Sequence, residues 1–231
     1  MVELADFFST TGTIISFALS FSPTVPFMKV FKGEEKMDIL PEALLLFLIL
    51  NRLVWGSVWI LTGRKIALLN SVLGITVCDV FVSLYFYLYF KRSCLKAFFS
   101  TIALLIIEVA LLYGGVFWGN HVVLSYTAMV FNVLMFISPG QKIVRVIKEK
   151  NYKLIPIFST ICNILCSSAW LGYGICINLL AQIIPNSIGL FFSIVNTLAW
   201  TYFYLKRDKE KEKEEEEEDK EKDGETELVE K

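Results

Sequence analysis

The chain has 231 residues, of which 55% are apolar and 14% aromatic, with a mean hydropathy of +0.58. This composition excludes an ordinary soluble domain and marks a membrane protein, for which no nucleic-acid partner is expected. The formal charge of −1 hides an asymmetry, because residues 206–231 hold 8 basic and 14 acidic side chains and residues 1–205 hold 14 and 9.

A helix that crosses a hydrocarbon core takes about 20 residues, and seven apolar stretches are long enough. They are predicted at 5–31, 39–62, 66–90, 95–117, 122–147, 153–177 and 179–205. In lipid their backbone groups must pair within each segment, so exposed strands and loops are excluded. The first stretch has no short apolar core followed by a small-residue cleavage site, and is expected to be a retained helix rather than a removed signal peptide.

Pro23 falls late in the first helix, where a missing N–H and the ring clash predict a kink, and Pro41 opens the second, where proline is better tolerated. The second helix also carries Asn51, Trp55 and Arg52, a guanidinium at a depth where a charge normally faces protein or water. Asn70 and Asp79 lie on the third helix and Glu108 on the fourth; the fifth carries Asn132 and Pro139, the sixth Pro156 and Trp170, and the seventh Asn186. The charged tail after residue 205 has too little apolar surface to fold and is predicted to be a disordered cytosolic segment.

Basic residues mark alternate loops: Lys29, Lys32, Lys36, Lys91, Arg92, Lys96, Lys142, Arg145, Lys148, Lys150, Lys153, Lys206 and Arg207 fall on the side of the C-terminus, against Arg64 and Lys65 opposite. The positive-inside rule then places the C-terminus in the cytosol.

The chain also repeats itself. Residues 22–92 contain Ser22-Pro23, Lys29, Pro41, Trp55, Asn70-Ser71 and the exit YLYFKR; residues 138–207 contain Ser138-Pro139, Arg145, Pro156, Trp170, Asn186-Ser187 and YFYLKR. The copies stay in register at an offset of 115 or 116. With one helix between them, the two three-helix units must run in the same sense, which predicts a 3+1+3 all-α membrane protein. The units are expected at 5–92 and 121–205, with a linker helix within 93–120 and the tail at 206–231. The paired Pro23, Pro139, Pro41 and Pro156 then read as hinges.

At this point the chain resembles the SWEET (MtN3/saliva) sugar transporters. The likeness spans 5–207 and is sharpest in NVLMFISPGQKIVRVIKEKNYKLIPIF, SAWLGYG and IIPNSIG of the second unit. The resemblance implies a passive uniporter of a mono- or disaccharide working by alternating access. It implies that Asn70 and Asn186 contact the sugar and that Trp170 lines the pocket. It is compatible with a homo-oligomer in a lipid bilayer, in the plasma membrane or alternatively the Golgi or another endomembrane. The plant pattern puts a pocket residue eleven positions after the second-helix proline, which here is Arg52, so Trp55 rests on internal symmetry alone.

The residues point the same way. An asparagine amide offers two donors and an acceptor where an unpaired polar group is expensive, which suits an uncharged, hydroxyl-rich ligand. An indole face packs against the apolar face of a pyranose while its N–H serves a hydroxyl. Asn51, and Ser16 with Asn132, each seven residues before the first proline of its repeat, are further cavity candidates. Arg52 either faces the cavity or pairs with Asp79.

Cys162 and Cys166 lack companion ligands, the single histidine His121 lies in a predicted loop, and no P-loop, HExxH, GxSxG or GxGxxG occurs. No metal, cofactor or enzymatic activity is expected. Two other functions compete: a proton-coupled carrier of an amino acid or organic anion, using Asp79 or Glu108 with Arg52 as counter-charge, and a seven-helix receptor or cargo sensor.

Overall fold

Apolar side chains occupy most faces of the long segments, so each satisfies its backbone internally as a helix. The structure is a computed structural model that describes residues 2–40, 42–135, 143–144, 146–149, 152 and 155–229, with the backbone alone for 42–43 and 208–229. The elements are α1 (Val2–Leu19), α2 (Thr24–Lys32), a 3-10 turn at Met37–Ile39, α3 (Glu42–Thr62), α4 (Lys65–Tyr89), α5 (Cys94–Trp118), α6 (His121–Met135), α7 (Ile157–Cys176) and α8 (Leu180–Val229).

Pro23 does more than bend the first span. The chain leaves α1 through a turn in which Ser22 N donates to Leu19 O at 3.0 Å, and Pro23, with φ −70°, starts α2 as its N-cap. Pro156 stands at the entry of α7, where Thr160 N donates to its carbonyl at 3.0 Å. Pro41 and Pro139 lie outside the described residues.

Five segments among the described residues are long and apolar enough to cross a membrane: Val2–Lys32, Met37–Thr62, Lys65–Tyr89, Cys94–Trp118 and Leu180–Arg207. The described part of α6 is 15 residues long, and the 20-residue α7 dilutes its apolar character with Ser159, Thr160, Asn163 and Ser167. The chain is an integral, multi-pass, nearly all-helical membrane protein. Its α8 backbone continues to Val229, through the segment the sequence predicts to be unfolded.

One buried cluster sets the helix directions. It joins the early residues Ala5, Ala67 and Ala181 of α1, α4 and α8, with Leu124 early in α6 packed against it, to the late residues Trp55, Val58 and Trp59 of α3 and Trp170 and Tyr173 of α7. Hence α1, α4, α6 and α8 run one way and α3 and α7 the other. A second cluster, including Phe27, Val30, Leu45, Ile49 and Phe81, fills the opposite end of the first unit.

Helix pairing follows the sequence repeat. Within the units, α3 packs on α4 as α7 packs on α8, and α1 on α4 as α6 on α8. Between them, α1 packs on α7 as α3 packs on α6. The helix α5 packs on α3 and α4 and turns Leu95, Phe98, Phe99, Ile106, Ile107 and Val109 outward, toward lipid.

Candidate functional site

The two units enclose a cavity of about 420 Å³. A helix that lines such a space can keep polar side chains in the membrane, because water or ligand replaces the lipid. The cavity collects all eight residues singled out from sequence: Ser16, Asn51, Arg52, Trp55, Asn70, Asn132, Trp170 and Asn186. Pro156 also lines it.

Of the polar contacts that cross between the units, two are images of each other under the sequence offset. Asn51 Nδ2 on α3 donates to Asn132 Oδ1 on α6 at 2.8 Å, and Ser16 Oγ on α1 meets Cys166 Sγ on α7 at 3.2 Å. Position 166 is the counterpart of 51, and 132 of 16.

Trp170 differs from the sequence expectation in its polar end. Its Nε1 donates to Ser16 Oγ at 3.0 Å, so in this state the indole N–H is held within the protein. The reach depends on Gly12, where a Cβ would lie 2.8 Å from the indole ring. Trp55 stacks on Trp59 at 4.8 Å between ring centroids. Trp59 meets Tyr173 edge-on at 6.0 Å, and Tyr173 meets Trp170 at 5.6 Å. This aromatic chain crosses from one unit to the other with each member buried, and its Trp55, Trp59 and Trp170 line the cavity.

The asparagine pair is asymmetric in its bonds. Asn186 Nδ2 donates to Gln182 O at 2.7 Å, which leaves its side-chain carbonyl outside that bond. The neighbouring Pro185, buried inside α8, has no N–H to offer the helix. Asn70 is instead taken up by Arg52.

Arg52 faces the cavity. Its Nη1 donates to Asn70 O at 2.8 Å and, more weakly, toward Asn70 Oδ1 at 3.5 Å, while Nη2 donates to Ser20 Oγ at 3.2 Å. Gly74 makes the room, since a Cβ there would fall 2.0 Å from the guanidinium carbon. Asp79 is not among its partners. Asp79 and Glu108 meet across the α4–α5 contact, and neither lines the cavity.

Sequence reasoning missed Ser20, Trp59, Asn163, Gln182 and Asn196, which also line the cavity. Asn163, Gln182 and Asn196 correspond in the first unit to Leu48, Ile66 and Val80, so a search for paired polar positions passes over them. Their signal was polarity alone, within otherwise apolar helices. Among the described residues no group of three or more His, Cys, Asp or Glu could hold a metal ion.

This fold has counterparts among known proteins. A family model described as "Sugar efflux transporter for intercellular exchange" (MtN3/saliva) matches residues 122–208, the second unit. The bidirectional sugar transporter SWEET7b of Oryza sativa subsp. japonica is 25% identical over 208 residues, covering 84% of this chain and 76% of the relative. SWEET1 of Arabidopsis thaliana is 23% identical over 193 residues, covering 79% and 76%. The 3.7 Å structure of a eukaryotic SWEET transporter superposes with a TM-score of 0.72 at 20% identity, over 87% of this chain and 97% of that one. The fold is therefore that of a SWEET transporter structure, and the likeness to the named relatives covers most of the chain.

Proposed function

We propose that this chain, a relative of the SWEET transporters, is a facilitative sugar transporter that works by alternating access. The observation that carries the reading is a cavity between two units whose crossing contacts Asn51–Asn132 and Ser16–Cys166 are images of each other. Sequence-matched units that exchange equivalent contacts have two arrangements of similar energy, and rocking between them exposes the cavity to each side in turn.

In this reading Asn70 and Asn186 supply the amides that hold sugar hydroxyls. Trp170 and Trp55 present apolar ring surface, and Arg52, Asn51, Ser16 and Asn132 complete the polar wall. The Trp55–Trp59–Tyr173–Trp170 chain is the closed gate of the state described here. Opening it requires Trp59 and Tyr173 to part, with movement absorbed where Pro23 breaks the first span and Pro156 starts α7. Pro41 and Pro139 complete the hinge set by sequence symmetry.

Lys29, Lys32, Lys91, Arg92 and Lys96 gather at the end away from the aromatic gate, so the positive-inside rule sets that end in the cytosol together with the C-terminal tail. The plasma membrane is the proposed location.

Uptake of labelled glucose and sucrose into proteoliposomes tests the proposal. Saturable entry of either sugar, with an affinity in the millimolar range of about −4 kcal/mol, is expected of a carrier that must also release its substrate. Ligand binding without flux in folded protein overturns the reading in favour of a sensor.

A further inference from the structure

Arg52 is the one charged side chain among the described residues lining the cavity. Its counterpart in the second unit is Ser167, so the charge is not required by the repeat. Its hydrogen-bond partners, Asn70 and Ser20, are neutral, and the bonds of 3.2 and 3.5 Å are weaker than a guanidinium makes with an anion. A charge held at membrane depth without a counter-charge is costly, and the groove opposite Gly74 is cleared to keep it there. The rest of the wall is neutral and polar, with Asn163, Asn186 and Asn196 suited to hydroxyl groups.

We propose that the cavity takes a polyhydroxylated carboxylate, a uronic or aldonic acid, with Arg52 as the specificity-determining residue that pairs with its anion. The planar fork of the guanidinium matches a carboxylate in a bidentate pair, and a ligand carboxylate displaces the weak Asn70 Oδ1 contact to form it. The asparagines then hold the hydroxyls. The inference rests on the transport reading of the cavity and narrows its substrate.

The test compares sodium glucuronate with glucuronamide, its neutral amide, at matched ionic strength, as competitors of labelled glucose uptake in proteoliposomes and as stabilisers in thermal unfolding of the purified full chain. Glucuronate is expected to compete at least about tenfold better than glucuronamide, the scale of a charge-assisted hydrogen-bond pair. Labelled glucuronate entry should rise under an inside-positive potential. In Arg52→Gln the ratio of the two inhibition constants should fall to about one, while Arg52→Lys retains a preference for the anion.

Glucose flux with no preference for glucuronate overturns this inference and leaves the transport reading standing. Absence of any flux overturns the transport reading. The unfolding assay then decides the anion site alone: stabilisation by glucuronate and not by glucuronamide supports it, and equal or absent stabilisation overturns it.

Discussion

Asn186 and Asn70 stand out in the sequence because an amide in an apolar helix is costly and because the two positions match across the repeat. Arg52 was equally visible, but its partner was not: the choice between Asp79 and the cavity depends on Gly74, whose missing Cβ lets the guanidinium lie against α4. Replacing Asn186 by Ala removes a polar group from the cavity wall, and uptake should fall by about ten- to a hundredfold while the protein still inserts and folds, measured as initial rates against matched amounts of protein. Gly12→Ala drives a methyl group into the Trp170 indole, and should lower stability by about 1–3 kcal/mol in detergent unfolding and slow uptake by displacing the ring from Ser16. An unchanged Gly12→Ala protein would show that Trp170 has room to move.

The helices were legible as apolar runs, and described helical elements fall in all seven predicted spans, the first broken before Pro23 and the last continuing to Val229. Where the reading fell short, the cause was local. Pro23 breaks its span into α1 and α2 because a turn intervenes over Ser20–Ser22 before the proline, and turn geometry leaves little trace in an apolar pattern. At this scale the crossing contacts hold the units together, since lipid supplies no hydrophobic force between helices. A double-mutant cycle on Asn51→Ala and Asn132→Ala, read by reversible unfolding, should give a coupling of about 0.6 kcal/mol and no more than about 1.7 kcal/mol. Coupling near zero would remove this contact from the account of how α3 holds α6.

The repeat was the strongest long-range signal in the chain, because its offset brings residues more than a hundred positions apart into equivalent roles. It paired Asn70 with Asn186, Trp55 with Trp170 and Ser16 with Asn132, all of which line the cavity, whereas Arg52 drew attention by its charge and Asn51 as its neighbour. The repeat could not reveal the proposed aromatic gate, since Trp59 corresponds to Gly174 and Tyr173 to Val58, so that contact is built from unmatched positions. A cysteine pair at positions 59 and 173, joined by a short bis-methanethiosulfonate that forms a disulfide with each thiol in a background free of other cysteines, should stop uptake, and reduction of those disulfides should restore it. Uptake that persists through the cross-link would place the moving gate elsewhere.

Counterflow tests the central claim most directly. Proteoliposomes loaded with unlabelled glucose are diluted into a trace of labelled glucose, with no pH gradient and no membrane potential. A carrier that exposes one cavity to one side at a time should accumulate label transiently above its external concentration before equilibrating, as loaded sites return in exchange for unlabelled sugar. Monotonic entry that never exceeds the external level, in folded protein at saturating internal sugar, would contradict alternating access about the cavity of Asn70, Asn186 and Trp170.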